Sequence, residues 1–85
     1  MKSIWKTTYA GNEIRVENNW FHGERLYVNN QLQDEQSNLF STLLTGHLFD
    51  GETRKNVKAN IFSYFVRMKC NLFVDDKLVE LTQVK

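Results

Sequence analysis

Hydrophobic and polar residues alternate along much of this chain with the two-residue period of a β-strand. The longest alternating run is Tyr64–Val74, in which every even position is apolar while Arg67, Lys69 and Asn71 stand between them. A period of two places successive side chains on opposite faces of a sheet. The run therefore predicts a strand of eleven residues with one apolar face.

Shorter alternations predict further strands. The segment Val57–Ile61 predicts a strand that ends in a bend or turn at Phe62 and Ser63, where the alternation breaks. Near the start of the chain, Ile14 and Val16 alternate with charged residues and follow the turn pair Gly11–Asn12. Together with the aromatic, threonine-rich segment Trp5–Tyr9, they predict a first hairpin.

A short internal repeat predicts two similar hairpins. The segment Arg25–Leu32 resembles Asn71–Leu78 position by position, with Asn29–Asn30 in the first copy matching Asp75–Asp76 in the second. Asn and Asp tolerate positive φ better than other residues with a Cβ, so both pairs suit the centre of a tight turn. Two copies are too few for a solenoid. They predict equivalent hairpins in the two halves of a sandwich.

The segment Ser37–Phe49 fits either a helix or a strand. For a helix, Ser37 would be the N-cap and Gly46 the end. The apolar stripe of that helix would contain Phe40, Leu43, Leu44 and Leu48. We favour a strand, because the turn pair Asp50–Gly51 would join it in a hairpin to the strand that contains Val57.

These elements predict one all-β domain covering residues 1–85. Its architecture would be an antiparallel β-sandwich, or a flattened barrel, of about six to eight short strands. A chain of 85 residues has room for one core only. Because the sequence contains no proline, we expect charge or pairing to protect the sheet edges.

Charge and composition argue against several classes of function. A formal net charge of +1 gives no global attraction to nucleic acid or to acidic membranes. The segment Met1–Ala10 has no long apolar run, so we expect a cytoplasmic protein without a membrane partner. His22, His47 and Cys70 lack the spacing of a zinc site, and we expect no cofactor and no catalytic residue. Cys70 should face the core as an inert small hydrophobe.

Parts of the chain resemble the Fas apoptotic inhibitory molecule family. The resemblance includes the early Trp5, the alternating strand Glu13–Glu17, the following segment Gly23–Asn30 and the late hairpin Leu72–Leu78. It implies a compact antiparallel β-sandwich without enzymatic activity that acts through protein contacts. It implies no catalytic residue.

One stretch of the chain is basic and aromatic. Between Thr53 and Val74 there is no acidic residue, and the cations of the Arg54–Lys69 region alternate with aromatic residues. We predict a non-enzymatic module that binds a protein, which could be a second copy in a homodimer. The alternative is a small domain that binds single-stranded nucleic acid through this stretch.

The loop residues Trp20 and Phe21 have two interpretations. They could contribute to a binding surface, or they could cap an open end of the sandwich, which we favour because so small a domain needs its aromatic residues in the core. The candidate binding surface consists of Trp20, Phe21, Phe65, Arg67, Lys69 and Phe73.

Overall fold

A computed structural model describes residues 2–37 and 41–85, which form nine β-strands and no helix. None of the described residues therefore forms a helix that could cross a membrane. The strands are β1 (Lys2–Tyr9), β2 (Asn12–Asn19), β3 (Gly23–Val28), β4 (Gln31–Gln36), β5 (Ser41–Asp50), β6 (Thr53–Tyr64), β7 (Arg67–Val74), β8 (Lys77–Val79) and β9 (Thr82–Gln83).

The strands build two antiparallel sheets, in the order β4-β3-β2-β1-β9 and β5-β6-β7-β8. The prediction of an all-β sandwich is confirmed. The strand count is higher than expected because the chain continues from β8 into the short β9, which pairs with β1 of the other sheet. The chain thus crosses from one sheet to the other between β8 and β9, and hydrogen bonds between Ile4 and both Val84 and Lys85 extend the pairing with β1.

The core lies between the sheets and consists of the inward side chains of their alternating strands. Its buried hydrophobic residues are Trp5, Ile14, Val16, Leu26, Val28, Leu44, Leu48, Val57, Ala59, Ile61, Leu72 and Val74. The segment predicted as helix or strand is β5 from Ser41 onward, which confirms the preference for a strand. Phe40, a member of the helical stripe, lies outside the described residues.

The predicted tight turns are present in both copies of the repeat. Asn29, Asn30, Asp75 and Asp76 all have positive φ, between 49° and 65°. Each first turn residue also exchanges two hydrogen bonds with the strand beside it. The N–H of Asn29 donates to Glu13 O (2.8 Å), and the N–H of Glu13 donates to Asn29 Oδ1 (3.0 Å).

Asp75 makes the same pair of bonds with Asn56, both at 2.9 Å. The second residue of each turn then accepts a bond from a cation two positions further along that neighbouring strand. Arg15 Nη1 donates to Asn30 Oδ1 (2.6 Å), and Lys58 Nζ donates to Asp76 Oδ1 (3.2 Å). The strands β1–β4 and β5–β8 are therefore two versions of one four-stranded meander.

The predicted bend at Phe62 and Ser63 is wrong, and so is the start of the strand Tyr64–Val74. Strand β6 continues to Tyr64, the turn is Phe65–Val66, and β7 begins at Arg67. The first hairpin also turns one residue earlier than expected, because Tyr9 pairs with Asn12. Residues paired across a two-residue turn have numbers of opposite parity, so the inward series changes from odd positions in β6 to even positions in β7. The exposed Tyr64 and Val66 continue the even apolar series back into the turn, which hides its position.

The long edge strand β5 is covered by polar side chains of the other sheet. They bond to its odd-numbered residues, whose backbone groups point away from β6. Any further strand would have to pair with those same groups. The four bonds join Gln36 Nε2 to Leu43 O (2.9 Å), Thr45 N to Asp34 Oδ2 (2.9 Å), His47 N to Gln33 Oε1 (3.3 Å) and Asn12 Nδ2 to Phe49 O (2.8 Å).

Candidate binding surface

The pairing of β6 with β7 places aromatic residues beside cations on the outer face of the four-stranded sheet. Three of the cross-strand pairs on this face join an aromatic residue to a cation, and we call these six residues the aromatic–basic face. Directly opposed residues in an antiparallel pair have Cβ atoms about 5 Å apart. The pairs are Lys58 with Phe73, Phe62 with Lys69, and Tyr64 with Arg67.

Other apolar side chains on the same outer face are also exposed. Leu43 and Phe49 on β5 and Leu78 on β8 are each at least half exposed, as is Tyr64. Phe62 and Phe73 are partly buried among their neighbours. Single exposed apolar residues are ordinary on a protein surface, but Leu43 and Phe73 line one hollow together with Lys58.

Most cations of the aromatic–basic face lack an ion pair. Among the described residues, Lys58 pairs with Asp76 at 3.2 Å, whereas Arg67 and Lys69 have no carboxylate within 4 Å. Arg54, near the start of β6, likewise has no described carboxylate within 4 Å. These charges are therefore available to a ligand.

The outer face of the five-stranded sheet is different, because its charges largely neutralise one another. The ion pairs there join Lys2 to Glu17 (3.3 Å), Arg15 to Glu17 (2.9 Å) and to Glu13 (3.8 Å), and Arg25 to Glu35. Arg15 also lies over the ring of Tyr27, 4.2 Å from its centroid. The basic character predicted from the sequence is thus confined to one side of the sandwich.

A second group of exposed apolar residues lies at one end of the sandwich. Trp20 and Phe21 occupy the turn between β2 and β3 and are 61% and 83% exposed, so the favoured interpretation that they cap the sandwich is wrong. Phe65 and Val66 form the β6–β7 turn and are 86% and 90% exposed. We call these four residues the loop end.

The structure brings some of the predicted site residues together and separates others. Trp20, Val66, Arg67 and Lys69 line one cavity, which shows that the two turns of the loop end are neighbours. Phe73 lies six residues along β7 from Arg67, or roughly 20 Å at the rise of a strand. The six predicted residues therefore belong to two adjoining surfaces rather than one, and Arg67 and Lys69 are common to both.

The two histidines are far apart. His22 is in the exposed turn after β2 at the loop end, whereas His47 is paired with Asn56 within β5. β5 begins at Ser41, which pairs with Phe62 near the loop end. His47 lies six residues further along β5, or roughly 20 Å away from that end. Its ring instead packs edge-on against Phe49, with the centroids 5.8 Å apart. In this arrangement His22 and His47 cannot act on one substrate atom.

Cys70 faces inward and packs against the core, as predicted. Burial raises the pKa of its thiol to about 12. Since the thiolate is the reactive form, Cys70 is a poor nucleophile near neutral pH. Across the described residues, no three acidic, histidine or cysteine side chains are grouped as a metal site would require.

Sequence reasoning missed a buried polar cluster near the loop end. Asn18 and Glu24 are directly opposed on β2 and β3, and Thr42 Oγ1 donates a hydrogen bond to Glu24 Oε1 at 2.6 Å. All three residues are buried, and Asn18 Oδ1 has no hydrogen-bond partner among the described residues. The sequence does contain a signal for this cluster. Asn18 and Glu24 stand at even positions, as do the inward residues Ile14, Val16 and Leu26 of the same two strands.

Comparison of the chain with protein-family models, with curated proteins and with solved structures finds no match. The resemblance to the Fas apoptotic inhibitory molecule family stays a prediction. The candidate surfaces therefore stand on their geometry.

Proposed function

We propose that this protein is a non-enzymatic binding module whose contact surface is the aromatic–basic face. The observation that supports the proposal is the contrast between the two outer faces. On one, aromatic residues lie opposite cations, two of which, Arg67 and Lys69, have no carboxylate within 4 Å among the described residues. On the other, most charges are paired. A partner that brings carboxylates to the first face gains ion pairs without having to break existing ones.

The partner of this face is a protein segment that combines acidic and apolar side chains. Phe62, Tyr64 and Phe73 offer rings of the kind enriched at protein interfaces, and Arg67 is of the residue type that most often contributes to hot spots. A second copy of the chain fits this face poorly, because cations would oppose cations. Homodimerisation through another surface stays a prediction, and light scattering that gives a monomer mass at high concentration would reject it.

A titration monitored by backbone amide NMR tests the proposal. The probe is a synthetic peptide of alternating glutamate and leucine, added to the wild type and to a variant carrying both Arg67→Ala and Lys69→Ala. We expect chemical-shift changes at residues of β6 and β7. The affinity for the peptide should be about tenfold or more lower in the variant. The matched control is Lys6→Ala, an exposed cation on the other outer face for which no described carboxylate forms an ion pair. Equal binding by wild type and double variant, or shifts confined to β1–β4, would contradict the proposal.

A second candidate function is binding of single-stranded nucleic acid by the same face. The observation that favours it is the aromatic–cation pairing itself, since bases stack on aromatic rings while cations contact the phosphates. The face from Lys58 to Tyr64 spans roughly 20 Å. This length suits about four nucleotides, which is the lower end of known site sizes.

The salt dependence of oligonucleotide binding distinguishes this second candidate. Each phosphate contact on a single strand contributes about −0.7 to the slope of log K against log salt concentration. Removing Arg67 and Lys69 together should therefore reduce the slope by about 1.4, whereas Lys6→Ala should leave it unchanged. Absence of binding at low salt, or a slope that is the same in all three proteins, would exclude the nucleic-acid function.

A further inference from the structure

The loop end brings four exposed apolar side chains together at the tips of two turns. Its four side chains belong to two hairpin turns separated by more than forty residues in sequence, yet the turns lie side by side at one end of the sandwich. The cavity between them has a volume of about 290 Å³, whereas Phe21, Phe65 and Val66 are each more than 80% exposed. The apolar groups are thus carried at the tips of projecting turns, a shape that suits insertion into another phase.

The backbone at Phe65 is an unusual place for a bulky residue. Phe65 has a φ of +56° at the first position of the two-residue turn, and Tyr64 pairs with Arg67 on either side of it. Glycine is the residue that this position favours, because a side chain there crowds the backbone. The ring of Phe65 packs edge-on against Tyr64, at 4.8 Å between centroids, but it remains mostly in solvent. The fold alone gives no reason for an aromatic residue here.

Cations surround the base of the loop end. Lys2, Arg67 and Lys69 line the same cavity as Trp20, and no acidic side chain of the described residues lines it. Lys2 is also bonded to Glu17 at 3.3 Å, so Arg67 and Lys69 are the freer charges. The cations thus lie behind the apolar tips, toward the body of the sandwich.

We propose that the loop end docks on the surface of an anionic lipid bilayer. Peripheral proteins place apolar side chains in the boundary between headgroups and acyl chains, with cations at the level of the lipid phosphates. Trp20 suits that boundary, because indole rings concentrate there. A protein groove would have to enclose two separate projecting tips, whereas a bilayer accepts both at once.

This docking differs from the expectation, based on sequence, that the protein has no membrane partner. That expectation rested on the net charge of only +1, which gives no global attraction to acidic membranes, and on the absence of a continuous apolar run, which a spanning segment requires. Arg67 and Lys69 provide a local attraction instead. The loop end takes two apolar residues from each of two distant segments, and such a surface leaves no run in the sequence. The inference does not require the proposed function, which concerns the outer face of the sheet, although Arg67 and Lys69 belong to both surfaces.

Tryptophan fluorescence tests the docking directly. Trp5 is buried in the core, whereas Trp20 is exposed, so a change of environment on binding reports mainly on Trp20. The probes are vesicles of phosphatidylcholine alone and vesicles in which a third of the lipid is phosphatidylserine. We expect a blue shift and co-sedimentation with the anionic vesicles only, both weakened by added salt.

Two double variants, each replacing two exposed apolar residues, distinguish docking by the loop end from non-specific adhesion of apolar surface. The first carries Phe65→Gly and Val66→Ser, in which glycine suits the positive φ and the fold is retained; it should lower the vesicle partition coefficient by about tenfold or more. The second carries Leu43→Ser and Phe49→Ser, whose side chains are exposed on the sheet face, and it should bind vesicles as the wild type does.

Three results would overturn the proposal. The first is the absence of a blue shift on anionic vesicles, and the second is equal binding to neutral and anionic vesicles. The third is a blue shift that grows with protein concentration in the absence of lipid, which would identify the loop end as a contact between copies of the chain. Loss of peptide or oligonucleotide binding in the Arg67 and Lys69 variant bears on the sheet face and leaves the Phe65 and Val66 result unaffected.

Discussion

The hydrogen bond between Thr42 and Glu24 gives a sharp prediction about stability. Both side chains are buried, each with a relative exposure of 3%, and the oxygen atoms are 2.6 Å apart. This distance is typical of a hydroxyl bound to a charged carboxylate, a bond about twice as strong as a neutral one. Thr42→Val keeps the shape of the side chain but removes the donor. It leaves the carboxylate of Glu24 buried without its hydroxyl partner.

The expected cost of Thr42→Val is about 2 to 3 kcal/mol of unfolding free energy, because a buried charged group loses its hydrogen bond. For a domain of this size, that corresponds to a fall in Tm of roughly 10 to 20 °C. Urea denaturation followed by circular dichroism measures the free energy, and the m-value should be unchanged.

Two further variants identify the cause of that loss. Thr42→Ser keeps the hydroxyl and should cost no more than about 1 kcal/mol, the value of one methyl group. The double variant Thr42→Val with Glu24→Leu removes both polar partners and should lie within about 1 kcal/mol of the wild type. A Thr42→Val cost below about 0.5 kcal/mol, or an equal cost in the Glu24→Leu background, would refute the reasoning.

Three other predictions follow from burial and backbone geometry. Leu72→Ala, at a fully buried core position, should lower the unfolding free energy by about 2 to 5 kcal/mol in urea denaturation, and a smaller loss would mean a looser core. The raised pKa of Cys70 means that, above the unfolded-state pKa near 8.5, the unfolded chain loses a proton that the native protein keeps up to about pH 12. Stability should therefore fall with rising pH by up to about 1.4 kcal/mol per unit relative to Cys70→Ala, and parallel pH profiles would contradict this. Phe65→Gly should leave the unfolding free energy unchanged or raise it by up to about 1 kcal/mol, because glycine accepts the positive φ. A clear decrease in the unfolding free energy would show that the Phe65 side chain contributes to packing.

The sequence predicts the sandwich, because alternation directly encodes which side chains are buried. It also predicts the tight turns of both repeat copies, since Asn and Asp are the residues with a Cβ that best tolerate positive φ. Asn29 and Asp75 even share their hydrogen-bond pattern, which follows from the equal spacing of the two copies. The inward position of Cys70 follows from the same parity.

The position of the β6–β7 turn could not be predicted in this way. Phe65 and Val66 carry no turn signal. The change from odd to even inward positions shows that a turn lies between Ile61 and Met68, but it does not identify the two residues that form the turn. The error has a functional consequence, because it places Phe65 and Val66 within a strand when they lie at an exposed tip. Their proximity to Trp20 depends on how the two sheets pack, and no local pattern contains that information.

The lack of proline predicted that the sheet edges need another form of protection. At the edge strand β5, hydrogen bonds from four side chains provide it, those of Asn12, Gln33, Asp34 and Gln36. With a formal net charge of only +1, molecules of this protein repel one another weakly. Resistance to aggregation must then come from the way the edge of the sheet is covered. The four side chains occupy the sites where a foreign backbone would begin to template growth, so they act as a built-in guard against fibre formation at high concentration.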